Sequence, residues 1–247
     1  MPTVLVHGVP ETPALWDPLR AHLRRDDVVA LQLPGFGCQR PPSFGATKEE
    51  YVSWLVAELE RLVADGPIDL VGHDWGGGFV VRLVSTRADL VRSWATDAAG
   101  LGDPLFEWHE LAKVWQTPGA GEAFWEQQLA LPPEQGGSTL EALGVPADQA
   151  LIMAGWPDAT MTDCILALYR SAVDVGREWA GDFEDVPVPG LALLPRDDPF
   201  LSAAGSRAGA NRAGAKVVDL AGLGHWWMLQ DPARGAAVLE DFWASVS

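Results

Sequence analysis

At 247 residues and 48% hydrophobic content, the chain suits one well-cored domain with room for an insertion. It carries 34 acidic against 17 basic residues, a net charge of −17, and no Lys/Arg-rich run that could grip phosphates, which excludes nucleic acid as a partner. Two cysteines, Cys38 and Cys164, are too few for a disulfide framework and stand apart from any Cys/His cluster. A metal site is therefore not expected, and a reducing cytoplasmic setting is. No leader pattern and no apolar run of bilayer length is visible, so no membrane association is expected.

In chain order, Thr3-Val4-Leu5-Val6 reads as a buried strand leading into His7-Gly8-Val9-Pro10-Glu11. Residues 16–24 read as a helix with Trp16, Leu19 and Leu23 on one face, and 28–33 as the next strand. The helix over 48–64 is the clearest in the chain. Thr47 and Glu50 have capping-box spacing, and Val52, Leu55, Val56, Leu59, Leu62 and Val63 make one apolar face. A short apolar run, 68–71, then enters Gly72-His73-Asp74-Trp75-Gly76-Gly77-Gly78 and a helical pattern. Residues 91–96 form another strand. From about 100 to 187 the alternation gives way to helical, tryptophan-rich text broken by Pro-Gly and Gly-Gly, and it resumes with strands at 190–194 and 216–220. Asp231-Pro232 opens a final amphipathic helix. Strand-helix alternation of this kind implies a parallel sheet wound by right-handed crossovers, with ligands at the carboxyl ends of its strands.

The segment around Asp74 carries the chemistry. A strand running into a helix through small-x-acid-x-small is a nucleophile elbow, so tight that glycine is required where backbone and helix close on it. Its apex is a carboxylate. Attack on a carbonyl by a carboxylate would give an anhydride, a poor route to ester or amide hydrolysis. Attack on a saturated, electrophilic carbon gives an ordinary ester that water can cleave. The order of nucleophile, acid after a late strand (Asp198, or else Asp97 after the strand at 91–96) and histidine after the last strand (His225) is that of a hydrolase triad.

With His7-Gly8-Val9-Pro10-Glu11, Gly72-His73-Asp74-Trp75-Gly76-Gly77, Asp198-Pro199-Phe200 and Gly224-His225, the chain resembles the Asp-nucleophile branch of the α/β-hydrolase superfamily, the epoxide hydrolases and haloalkane dehalogenases. The resemblance covers nearly the whole chain. It implies an α/β-hydrolase fold with a mostly parallel sheet flanked by helices, and a core formed by residues 1–100 and 188–247. A helical lid, 101–187, would be inserted after the strand at 91–96. The two strands that usually precede the His-Gly loop are missing, so an N-terminally shortened core is expected. The resemblance further implies Asp74 as nucleophile, His225 as base, Asp198 as its orienting acid, a cis Val9-Pro10 bond, and an oxyanion hole from the Val9 and Trp75 amides. His73 is expected to be a structural donor within the elbow.

Epoxide and halide differ in the leaving group. A halide needs two N–H donors, commonly the elbow Trp75 with an oxyanion-loop Asn or a lid Trp; here the loop residue is Val9. An oxirane oxygen needs an acidic O–H, and Tyr169 in Leu168-Tyr169-Arg170 looks like the lid tyrosine of epoxide hydrolases. The usual second lid tyrosine is absent, leaving Trp108, His109 or Trp115 as further donors. The expected function is opening of a small apolar or aromatic epoxide to a vicinal diol without metal or organic cofactor. Haloalkane dehalogenation is the alternative, and a non-catalytic receptor a more distant one. His7, Trp108, His109, Trp115 and Trp226 are assigned to the substrate pocket, and the protein is expected to be a monomer or homodimer.

Overall fold

The computed structural model describes residues 2–246. Six strands, β1 (Thr3–Val6), β2 (Val28–Leu31), β3 (Ile68–Gly72), β4 (Val91–Thr96), β5 (Gly190–Pro195) and β6 (Lys216–Leu220), form one sheet in the order β2-β1-β3-β4-β5-β6. Every pairing is parallel. The central strands β1, β3 and β5 are buried throughout, which is why they read as largely apolar runs rather than alternating ones; the charged exception, Asp69 in β3, is buried in bonds from Arg25, Arg92 and Ser93. Edge strand β2 is half-exposed and ends at Leu31, two residues before the expected boundary. The Leu33 N–H turns inward instead, toward the His7 ring at 3.3 Å.

One face of the sheet, with Val4, Val6 and Leu70, packs on α2 (Lys48–Leu62) and α3 (Trp75–Thr86). The other, with Leu5, Val71, Ala95, Leu191 and Leu193, packs on α1 (Asp17–Arg20), α11 (Trp227–Gln230) and α12 (Pro232–Ser245). α2 begins in a complete capping box: Thr47 accepts from the Glu50 amide, and Glu50 accepts from the Thr47 amide. The helix expected over 16–24 is shorter. Residues Pro13–Trp16 make a 3₁₀ turn, α1 lasts four residues, and His22 and Leu23 donate three residues back in turn geometry. Pro18, with no N–H to give, sits in its first turn.

Between β4 and β5 the chain makes six helices: α4 (Glu110–Gln116), α5 (Ala120–Leu129), α6 (Pro133–Ala142), α7 (Ala147–Ala154), α8 (Ala159–Ser171) and α9 (Val175–Trp179). This segment is pinned to the core at the start of α2. The Lys48 amide donates to Ser171 Oγ, and the buried Lys48 ammonium donates to the Ser171 carbonyl and pairs with Glu178. α10 (Ala203–Arg212) lies between β5 and β6. No helix among the described residues is long and apolar enough to cross a membrane.

Candidate active site

Five strand ends converge at the carboxyl edge of the sheet: Val9 and Glu11 follow β1, Asp74 follows β3, Asp97 β4, Asp198 β5 and His225 β6. Asp74 stands at φ 50° and ψ −122°, in a left-handed region uncommon for a residue with a side chain. The turn closes because Gly76 sits against β1: a Cβ there would lie 2.2 Å from the Val6 carbonyl oxygen. Trp75 opens α3, so the helix N-terminus and its unpaired amides point at the apex, where negative charge is stabilised.

The two oxygens of Asp74 have different surroundings. Oδ1 accepts the Val9 N–H at 2.9 Å, beside a cis Val9-Pro10 bond. Oδ2 lies 4.0 Å from His225 Nε2. Burial raises the Asp74 pKa to about 6, with Glu11 adding to the rise, while His225, His73 and the Val9 amide oppose it. On the far side of the imidazole, His225 Nδ1 meets Asp198 Oδ2 at 2.8 Å, and Asp198 Oδ1 is held by the Phe200 and Leu201 amides at 2.7 and 3.1 Å. Burial works most strongly against a charged His225, and His73 adds to it, but the charge and hydrogen bond of Asp198 together with the Asp74 charge hold the pKa above the ordinary histidine value. With Nδ1–H given to Asp198, Nε2 is left as the basic nitrogen facing Asp74.

Asp97 does not reach His225. Its Oδ1 accepts the Asp74 N–H at 3.0 Å, and its Oδ2 accepts from Trp227 Nε1 at 2.7 Å and His73 Nδ1 at 2.6 Å. The other nitrogen of His73 meets Glu11 Oε1 at 3.1 Å, and Glu11 also takes the Gly8 amide and the Trp226 indole N–H, each at 2.8 Å. Burial opposes charge on His73, yet Asp97 and Glu11 together lift its pKa well above normal, so it is an imidazolium between two carboxylates. Among the described residues, Glu11, His73 and His225 gather ligand-type atoms within 4.8 Å of one another. Glu11 Oε1 is already engaged by both the imidazole and the indole, so the group is a hydrogen-bond network rather than an open metal cage.

A cavity of about 410 Å³ opens onto Asp74, Val9 and His225 and is lined further by His109, Trp115, Tyr169 and Trp226. Tyr169 is buried, its ring edge-on to Trp75 and Trp115. Burial first, and the Asp74 carboxylate second, push its pKa well above the usual phenol, so it keeps its O–H; the Trp75 indole, outside hydrogen-bond geometry, offsets only part of this. His109 Nδ1 caps α4 through the Ala112 amide, and burial lowers its pKa to about 4.

Two residues assigned to the pocket from sequence are not in its wall. His7 is wholly buried, with Nδ1 donating to the Gly8 carbonyl and Nε2 accepting from Leu33, and burial lowers its pKa to about 4. It shapes the loop after β1. Trp108 spends its indole N–H on the Ala172 carbonyl at 2.9 Å and packs against Trp75 and Tyr169. Conversely, Glu11 has no role assigned by its sequence motif, although a carboxylate in a buried loop needs partners, a signal for the His73 and Trp226 contacts.

Residues 3–238 match the alpha/beta hydrolase family profile. The chain belongs to the alpha/beta hydrolase family. It is 24% identical over 199 residues to (E)-2-((N-methylformamido)methylene)succinate hydrolase of Acinetobacter baylyi, covering 80% of this chain and 73% of the relative. In fold it is similar to a putative epoxide hydrolase of Pseudomonas aeruginosa (TM-score 0.77, 19% identity, 99% of this chain and 89% of that one). It is likewise similar to a haloalkane dehalogenase of Bradyrhizobium elkani (TM-score 0.75, 20% identity, 99% and 91%).

The raised Asp74 pKa makes this hydrolase less stable when the carboxyl ionises. A folded-state pKa of about 6 against an unfolded value near 4 means the penalty is full above about pH 6 and absent below about pH 4. Asp74→Asn keeps the shape and the acceptor for the Val9 amide, so its Tm should exceed that of the parent at about pH 8, the gain shrinking as pH falls toward 4. Calorimetry across that range checks this; a gain independent of pH, or a loss at pH 8, contradicts it.

Proposed function

We propose that this hydrolase opens epoxides to vicinal diols through an ester on Asp74. The observation that carries the reading is the division of labour on that carboxylate, with Oδ1 on the Val9 amide and Oδ2 beside the His225–Asp198 pair. Oδ2 attacks an oxirane carbon and the C–O bond breaks, while the Tyr169 hydroxyl gives its proton to the departing oxygen. The hydroxyalkyl ester that forms has Oδ1 as its carbonyl oxygen, already in the oxyanion hole. Water, losing a proton to His225 Nε2, then adds to Cγ. The Val9 amide and the Trp75 amide hold the resulting oxyanion; on collapse the departing diol oxygen takes the proton from His225, and the proton left on the Asp74 carboxyl returns to the Tyr169 phenolate, restoring all three groups. In this reading residues 101–187 are a lid over a core of 1–100 and 188–247, and supply Tyr169, His109 and Trp115. The free thiols of Cys38 and Cys164 fit a reducing cytoplasm.

Hydrolysis of an amide such as the Acinetobacter relative's is less well supported. A carboxylate nucleophile would have to pass through an anhydride, and among the described residues no Lys or Arg lines the cavity to hold a succinate's carboxylates. Dehalogenation is the second reading. The indole nitrogens of Trp75 and Trp115, both packed on Tyr169, have no hydrogen-bond partner, and unpaired N–H groups suit a halide.

His225→Gln should still form the ester, because attack by Asp74 needs no base, but should fail to hydrolyse it. Mass spectrometry of the variant after incubation with an epoxide should show an adduct on the peptide containing Asp74. Normal turnover with no adduct contradicts the scheme. Tyr169→Phe removes only an O–H and keeps the packing. Epoxide turnover should fall roughly a hundredfold or more, and bromoalkane turnover, if any is measurable, much less. Equal losses on both substrates would return Tyr169 to a packing role.

A further inference from the structure

The cavity continues well past the catalytic groups. Beyond the rings of Trp115 and Trp125, which are stacked at 5.3 Å, its wall becomes aliphatic, with Leu129 at the end of α5, Leu140 and Leu143 on and after α6, and Met153 on α7. Exposure grades along it. Trp115 and Trp125 are 5% and 6% exposed, while Leu129 and Leu143 line the same cavity and are 43% and 37% exposed. The cavity therefore reaches solvent between the ends of α5 and α6. Cavities of roughly 300–1,000 Å³ hold drug-sized ligands, and at about 410 Å³ this one is larger than a three- or four-carbon epoxide needs.

Charge is missing from the passage. Among the described residues, Asp74 is the one acidic residue in its wall, no Lys or Arg lines it, and the only other titratable groups facing it are Tyr169, His225 and His109. His109, with its pKa lowered to about 4, is neutral at working pH. Gln128 and Thr139, toward the mouth, are the polar but uncharged exceptions. A charged group taken into such a passage would lose hydration without gaining a partner. The wall is also firmly placed: α6 crosses α7 so closely that a Cβ on Gly136 would lie 3.1 Å from the Ala154 Cβ.

We propose that this hydrolase takes uncharged substrates with a long, slender apolar tail, which runs from Asp74 past the Trp115–Trp125 pair and leaves between α5 and α6. The epoxide head group rests on the function proposed above; the tail channel does not. Each methylene sheltered by the channel strengthens binding about fourfold, the equivalent of the usual transfer free energy of a buried CH₂. The gain ends where the chain reaches Leu129 and Leu143 and returns to water.

Two measurements test this separately. The first is binding of straight-chain alkanols, butanol to decanol, followed by tryptophan fluorescence or calorimetry, which involves no chemistry. Affinity should rise about fourfold per methylene and then level off, and the fatty acid anion of matching length should bind at least about tenfold more weakly. Thr139→Trp, at an exposed position of α6, should bring the plateau to a shorter chain. Affinity that does not depend on length, anions that bind as well as alkanols, or a plateau unmoved by Thr139→Trp overturns the channel. The second is kcat/KM for the matching 1,2-epoxyalkanes, which should follow the same trend. Graded alkanol binding without turnover of any epoxide would leave the channel standing and remove the epoxide reading. Turnover of epoxides regardless of length, with flat alkanol binding, would do the reverse.

Discussion

The site depends on one strained residue. Asp74 holds φ 50° and ψ −122°, a conformation that costs of order 1–3 kcal/mol and persists only where its surroundings over-determine it. Three features do so here. The Asp74 N–H is tied to Asp97, the following helix takes up the Asp74 carbonyl through the Gly78 amide, and the glycine face of α3 lies against β1. A Cβ on Gly8 would fall 2.4 Å from that of Asp74, so the loop after β1 too can come close only as glycine. The strain aims the carboxylate away from the sheet, at the end of a helix whose dipole favours its negative charge.

Under the apex lies a charged network that joins four of the five strand ends. Glu11 comes from the loop after β1, His73 from the elbow, Asp97 from the end of β4, and Trp226 and Trp227 from the segment after β6. Breaking a buried ion pair by removing one partner typically costs about 3–5 kcal/mol, so the loops that carry Val9, Asp74 and His225 are held in register by more than apolar packing. The network bears two carboxylates to one imidazolium, and Glu11 is among the groups that keep the Asp74 pKa up. Asp198 stands apart from it, held by two backbone amides, so orienting His225 and holding the elbow fall to different acids.

Much of this was legible in the sequence wherever the signal is local. The apolar run into an acid between glycines marked β3, the elbow and α3, and Thr47 with Glu50 marked the start of α2. Choosing between Asp198 and Asp97 was harder, because both follow strands; only the packed structure shows that Asp97 is spent on His73, Trp227 and the elbow amide. Trp108 was misread as a pocket residue because its partner, the Ala172 carbonyl, is 64 residues away. His7 was misread because its acceptor role toward Leu33 belongs to the turn after β2. The aliphatic end of the cavity left no trace at all: Leu129, Leu140, Leu143 and Met153 are ordinary helix residues until α5, α6 and α7 are placed over the core.

In the proposed reaction the first bond to substrate is made by an oxygen of Asp74, and isotope placement decides whether it is. A single turnover of an epoxide by excess enzyme in H₂¹⁸O should give a diol with no label, because its new oxygen comes from the carboxylate. The heavy atom should appear in the peptide that contains Asp74. Label in the diol after that first turnover, with an unlabelled Asp74 peptide, would mean that water attacks the substrate directly and that Asp74 is not the nucleophile.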